Sequence, residues 1–218
     1  MMKKATYIPM QAIPGQSSSL QEFLTAGRDM VVENEPLTPH WYALKRQDEE
    51  SAFAIFDLFP SQEGRAAHFA GKVAGALEEN ASVLVENGWH DGVVANIVNF
   101  ETIATKIPDE ATEVSKATFI SLQAKPGQAD KLAAFLKGGC ELVIKGEPLT
   151  VYWMAMRSES DDHSFAIFDL FASEAGRVAH FEGKVAAALM AESDELLVGG
   201  WEDGVLANVV HFDVVAAK

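Results

Sequence analysis

Hydrophobic positions alternate along three short stretches of the chain and recur at three- and four-residue spacing in two longer ones, and the whole succession then happens a second time. Thr6–Ile13 is β-favouring and stops at Pro14-Gly15, which predicts a strand. In Ser17–Asn34 the residues Leu20, Phe23, Leu24, Met30 and Val31 fall on one helical face, and Ser18 with Gln21 suits a capping box. Pro36 marks the end of that helix. His40–Arg46 and Ala52–Phe59 read as two strands joined by the polar turn Gln47–Ser51. Ser61 is a natural cap for a second helix with Glu63 in its first turn, running to about Val85 with a break near Gly71. Gly88–Phe100 reads as a fourth strand, with a bulge or turn at Asp91-Gly92.

Ala5–Lys106 lies over Ala117–Lys218 without an insertion, and roughly half of the paired positions are identical. A period this long means duplicated domains: residues 1–105, a polar acidic linker at 106–116, and residues 117–218. The order β-α-β-β-α-β, written twice, predicts an α+β fold of two tandem ferredoxin-like units, each with both helices on one sheet face. The other sheet face is apolar and must be covered. The economical cover is the same face of the twin, so the units are expected to pack sheet to sheet as a dimer within one polypeptide. A further homodimer through outer helices or edge strands stays open.

Apolar residues make up 48% of the 218 and charged residues 22%, an ordinary globular mix. The net charge of -15 repels phosphate backbones and anionic lipid, which argues against nucleic-acid and membrane partners. The first residues carry two lysines and no apolar core of a leader, no apolar run approaches membrane-helix length, and Cys140 has no second cysteine to pair with. These features predict a reducing, cytoplasmic setting.

Three stretches carry a family likeness. They are the PGQ-x-x-x-L-x-x-FL opening at Pro14–Leu24, Glu35-Pro36 followed by a strand, and Phe53–Phe69, repeated almost unchanged at Phe165–Phe181. On these residues each repeat resembles the antibiotic-biosynthesis-monooxygenase-like (ABM) family, whose members form a dimeric α+β barrel. His68 and His180 fall on that family's helix histidine. Asp57 and Asp169 stand where Glu is usual, Phe59 and Phe171 where Trp is usual, and Leu37-Thr38 and Leu149-Thr150 replace Gly-Cys. The resemblance implies either cofactor-independent oxygenation of quinols or aromatic polyketides, or haem degradation.

The residues themselves suggest where chemistry resides. Arg65, His68 and Lys72 sit at i, i+3 and i+7, within roughly 60° of one another on a helix, and Arg177, His180 and Lys184 repeat them. Such a basic stripe beside Phe69, Val73 and Leu77 suits an anion at the mouth of an apolar cleft; surface ion pairing is the plainer account. Alternation puts Asp57 on one strand face with Phe53, Ile55 and Phe59, where an acid needs a partner or a proton; Asp169 matches it. Asp57 either orients His68 as a general base or pairs structurally with Arg65. Trp41 and Trp153 offer aromatic walls, and Asn96 and Asn208 read as mid-strand amides able to hold an oxygen atom. No His/Cys/Asp cluster has metal-ligand spacing; haem needs only one axial histidine and stays open through His68. The leading expectation is a cofactor-free monooxygenase acting on a small phenol or hydroquinone between the sheet and helices of each half, with His68, His180, Asp57 and Asp169 catalytic. The alternative is a barrel that binds a small aromatic or anionic molecule without turnover.

Overall fold

The computed structural model describes residues 2–218. In chain order the elements are β1 (Lys4–Gln11), α1 (Ser17–Asn34), β2 (His40–Arg46), β3 (Ala52–Phe59), α2 (Gln62–Phe69), α3 (Lys72–Leu84), α4 (Gly88–Gly92), β4 (Val98–Lys106), β5 (Lys116–Gln123), α5 (Ala129–Gly146), β6 (Thr150–Ser158), β7 (Ser164–Phe171), α6 (Glu174–Phe181), α7 (Lys184–Leu196) and β8 (Val209–Ala217). The fold class is α+β, in two tandem ferredoxin-like units.

The boundary between the compact units does not follow the repeat. One unit holds the chain up to Asn99 together with Phe212–Lys218; the other holds Phe100–His211. In the first, β1, β3, β2 and β8 are neighbours in that order, all antiparallel. In the second the order is β5, β7, β6 and β4. Each repeat therefore gives most of its last strand to the sheet built on the other repeat's first three strands. Thr6 and Trp41 flank Asp57 in register, and Thr118 and Trp153 flank Asp169.

Every residue of β3 is buried, so both of its faces are withdrawn from water. On the helix-facing side Ile8, Met10, Trp41, Ala43, Phe53 and Ile55 pack against Leu20, Leu24 and Val31 of α1 and Val73, Leu77 and Ala81 of α3. The second unit repeats this with Ile120, Leu122, Trp153, Ala155, Phe165 and Ile167 against Leu132, Leu136, Val143, Val185 and Leu189.

Two local expectations are corrected and a third is met. The cap of α1 is Gln16, whose side chain makes no capping bond; the helix already begins at Ser17, so Ser18 is inside it. The break expected near Gly71 is present, since α2 stops at Phe69 and α3 restarts at Lys72 from the extended residue Gly71. The segment Gly88–Phe100 is not a continuous strand. Asn87 (φ 61°) and Gly88 (φ 65°) take left-handed backbone, the chain then coils through α4 and a 3-10 turn at Val94–Asn96, and β4 begins only at Val98. Ser61 does cap α2, its Oγ accepting from Gly64 N–H at 3.3 Å, and Ser173 does the same for α6.

Candidate active site

The break at Gly71 brings three elements to one point. A Cβ at Gly71 would lie 2.5 Å from Glu35 Oε1 and 2.9 Å from His68 O, so the missing side chain is what lets the carboxylate at the end of α1 reach α2. Glu35 Oε2 stands 2.5 Å from His68 Nδ1, and Thr38 Oγ1 donates to the same oxygen at 3.3 Å. On its other edge His68 Nε2 stands 3.5 Å from Asp57 Oδ2, on the helix-facing side of β3. Phe59 tilts against the imidazole at 5.5 Å between centroids, and Phe69 meets it edge-on at 5.7 Å. The second unit reproduces the group: Glu147 Oε2–His180 Nδ1 is 2.5 Å, His180 Nε2–Asp169 Oδ2 is 3.4 Å, and Phe171 and Phe181 bracket the ring. There Thr150 Oγ1 lies within hydrogen-bond reach of both Glu147 and His180, and Glu147 Oε1 accepts from Val185 N–H at the start of α7.

These groups are buried, and that sets their charge. Asp57 is fully enclosed and neither of its oxygens has a hydrogen-bond donor; the same is true of Asp169. Burial pushes the Asp57 carboxyl up to about 7; the His68 charge offsets part of this and the Glu35 charge adds to it. Burial likewise raises Asp169. For the imidazoles burial is the largest single influence and favours the neutral form, but two carboxylates together outweigh it. His68 is raised, by Asp57 and then Glu35, and His180 is raised to about 10. Glu147 moves down: burial opposes its charge, and its bonds to His180, Val185 and Thr150 prevail. Near neutral pH the imidazolium of each site therefore lies between two carboxyl groups, and the deep one of the first site, Asp57, is close to half-protonated.

Space is available on two sides of His68. Inward, an apolar cavity of about 30 Å³, lined by Trp41, Phe69, Val73, Leu77 and Trp89 among others, has His68 in its wall; it holds about one water. Outward, a cleft of about 320 Å³ runs past Glu35, Pro36, Leu37, Ala67, His68 and Lys72. The equivalent cleft beside Glu147 and His180 is about 290 Å³.

No family model matches the chain, and no curated protein matches its sequence. Solved structures do. A candidate monooxygenase from Fusobacterium nucleatum superposes with a TM-score of 0.84 at 10% identity, over 100% of this chain and 94% of its own. One from Lactobacillus acidophilus gives 0.80 at 11%, over 100% and 96%. An anthrone oxidase-like protein gives 0.61 at 13%, over 100% and 92%. The chain shares the α+β fold of these solved proteins. At these identities the likeness fixes the fold of the chain and leaves its chemistry to its own residues.

Of the residues singled out from the sequence, His68, Asp57, Phe59 and Trp41 come together in the first unit, and His180, Asp169, Phe171 and Trp153 do so in the second. The basic stripe is not assembled. Lys72 belongs to the next helix and donates to Asn34, while Arg65 is buried and bonds to Gln62 and to Ala5 O. Arg177 is likewise buried, against Glu174. Asn96 and Asn208 lie on 3-10 turns rather than in strands, and their amides donate to Gly92 O and Asp203 O, closing the preceding coil. Glu35 and Glu147 were missed as site residues; the repeated Glu-Pro-Leu-Thr was their only trace in the sequence.

Among the described residues no group of three or more His, Cys, Asp or Glu could hold a metal ion, and no helix is long and apolar enough to cross a membrane. Haem does not fit these residues. Both nitrogens of His68 face carboxylates, leaving none for an axial bond, and the inner cavity takes about one water rather than a porphyrin.

Proposed function

We propose that the chain is a cofactor-independent monooxygenase acting on a small phenol or hydroquinone at His68 and His180. One observation carries this reading: an imidazole, held between two carboxylates, lines an apolar cavity walled by tryptophan. The group has the parts such a reaction needs. Asp57, poised near 7, provides a proton acceptor in the working pH range, and His68, whose Nε2 stands 3.5 Å from it, is part of the cavity wall. The imidazolium favours a phenolate beside it, and the apolar wall keeps water from the reactive anion.

The reaction balances without a cofactor. The phenol proton passes to the carboxylate–imidazole group; the phenolate gives one electron to dioxygen, the two radicals combine at a ring carbon, and the resulting peroxide takes the proton back to become a hydroperoxide. Loss of water leaves a quinone. Four electrons move from the ring to dioxygen, one oxygen atom entering the product and the other leaving as water. The inner cavity must widen to admit a ring, and the side chains between α1 and α3 are those that must give way.

Oxygen uptake with a panel of phenols and hydroquinones, in the presence of a chelator, tests this. Uptake lost in His68→Gln/His180→Gln is the expected result, and no uptake with any compound overturns it. A second reading, capture of a small aromatic or anionic molecule without turnover, is favoured by the size of the outer clefts. Saturable binding of the same panel without oxygen uptake distinguishes it.

A further inference from the structure

The last carbonyls of a helix carry the negative end of its dipole, and α1 and α5 end at the glutamates of the two sites. At α1 the ends are met by Lys218: its Nζ donates to Val31 O at 2.9 Å and to Glu35 O at 2.7 Å, and its backbone N–H donates to Trp41 O at 2.9 Å. At α5 the matching residue, Lys106, donates from Nζ to Glu147 O at 2.8 Å. Each of these carbonyls also accepts one backbone N–H, Val31 O from Glu35, Glu35 O from Thr38 and Glu147 O from Thr150, so the ammonium takes the second lone pair and answers the negative end of the helix dipole. The origin of each lysine is the informative point. Lys218 belongs to the second repeat but to the compact unit that contains Glu35, His68 and Asp57, and Lys106 belongs to the first repeat but to the unit that contains Glu147, His180 and Asp169.

We propose that Lys218 and Lys106 are positioning residues, each fixing from the opposite repeat's last strand the helix end that carries a site glutamate. The proposal rests on reading Glu35–His68–Asp57 and its twin as the working sites. It follows that neither repeat carries a complete site: the exchanged strand delivers the fourth member. The influence also reaches the imidazole, since the Lys218 charge opposes the raising of His68 by the two carboxylates. Burial lowers Lys218 and Lys106 themselves, and the charge of the glutamate whose backbone carbonyl each binds acts in the other direction.

Proton NMR of the imidazole ring hydrogens tests the proposal with an internal control, because each variant touches one site of two. In Lys218→Met, exchange of the His68 Nδ1 proton with water is expected to quicken several-fold, as for loss of about one hydrogen bond, while His180 is unchanged. Lys218→Arg restores the His68 signal, and Lys106→Met gives the mirror-image result at His180. Unchanged His68 exchange in Lys218→Met overturns the proposal. So does a parallel loss at both histidines together with a lower unfolding midpoint, which marks a general structural role. If Lys218→Met does not fold, Lys106→Met carries the same test at His180. The readout needs no turnover, so a negative oxygen-uptake experiment leaves it standing.

Discussion

His68 Nδ1 lies 2.5 Å from Glu35 Oε2 across 33 residues of chain, and the same contact recurs between His180 and Glu147 at the same distance and separation. It ties the end of α1 to α2, and the imidazole passes the tie on to Asp57 in the centre of the sheet. Removing one partner leaves an uncompensated charge in a dry place. Glu35→Ala is therefore expected to lower stability by about 3 kcal/mol and to bring the His68 pKa down, while His180 keeps its own. Chemical denaturation together with NMR titration of the two histidines checks both parts. Glu35→Gln, which keeps the shape, should recover most of the stability and little of the pKa.

Gly71 and Gly75 make a matched pair for a second prediction. A Cβ at Gly71 meets Glu35 Oε1 at 2.5 Å and the His68 carbonyl at 2.9 Å, and one of these is backbone. At Gly75, exposed in α3, a Cβ meets nothing within 4 Å. Gly71→Ala should destabilise by about 2 kcal/mol and disturb the His68 resonances, because the glutamate must move. Gly75→Ala should stabilise by about 0.5–1 kcal/mol, the ordinary gain of alanine in a helix. Equal effects from the two would mean that the close approach at Gly71 is not what fixes the glutamate.

The pH dependence of stability follows from the signs of the shifts. His180 is raised from 6.5 to about 10 in the folded chain, so its contribution is complete below about 6.5 and is lost as pH rises through 10. Asp57 is raised from 3.8 to about 7, so the folded state holds a proton that the unfolded chain has released; stability falls as pH climbs through that window. Glu147 is lowered and works on the acid side, its contribution present above about 4.5 and lost below. Urea unfolding should therefore show a maximum at about pH 4, a decline to about pH 7 and a further decline to pH 10. Asp57→Asn should flatten the first decline, and His180→Gln the second. A plateau from pH 5 to 9 would contradict both assignments.

Much of this was legible in the chain because the interactions responsible are local or periodic. Alternation placed Asp57 among apolar neighbours on the helix side of β3, and the Ser61 cap and the break at Gly71 are short-range signals that the backbone obeys. What failed had a common cause. The stripe Arg65–His68–Lys72 assumed one unbroken helix, and two residues of interruption rotate Lys72 away from Arg65. The fourth strand was placed some ten residues early because Val93, Val94, Ile97 and Val98 are as β-favouring as any strand; only the left-handed pair Asn87 and Gly88 coils them first. Glu35 was in plain sight beside Pro36, but its partner lies in another element, and no spacing rule reports a contact across 33 residues.

The two sites differ beside their aspartates. Thr6 Oγ1 donates its proton to Asn99 Oδ1 at 3.0 Å, whereas Thr118 Oγ1 shares a 3.0 Å hydrogen bond with His211 Nδ1. Asn99 and His211 occupy matching positions of the repeat, and Thr6 and Thr118 are the in-register neighbours of Asp57 and Asp169. An amide oxygen always accepts, so the Thr6 hydroxyl proton stays committed to Asn99. An imidazole nitrogen accepts when unprotonated and donates when protonated, so the Thr118 hydroxyl is released toward Asp169 once His211 takes a proton at Nδ1. His211 also meets Phe181 edge-on at 5.5 Å, and Phe181 in turn meets His180. The titration curve of His180 should therefore carry an inflection that tracks His211 and is missing from the curve of His68. His211→Asn should remove it and make the two curves alike, and Asn99→His should transfer it to His68. Curves for His180 that do not change in His211→Asn would show that the two sites, despite this substitution, titrate as equals.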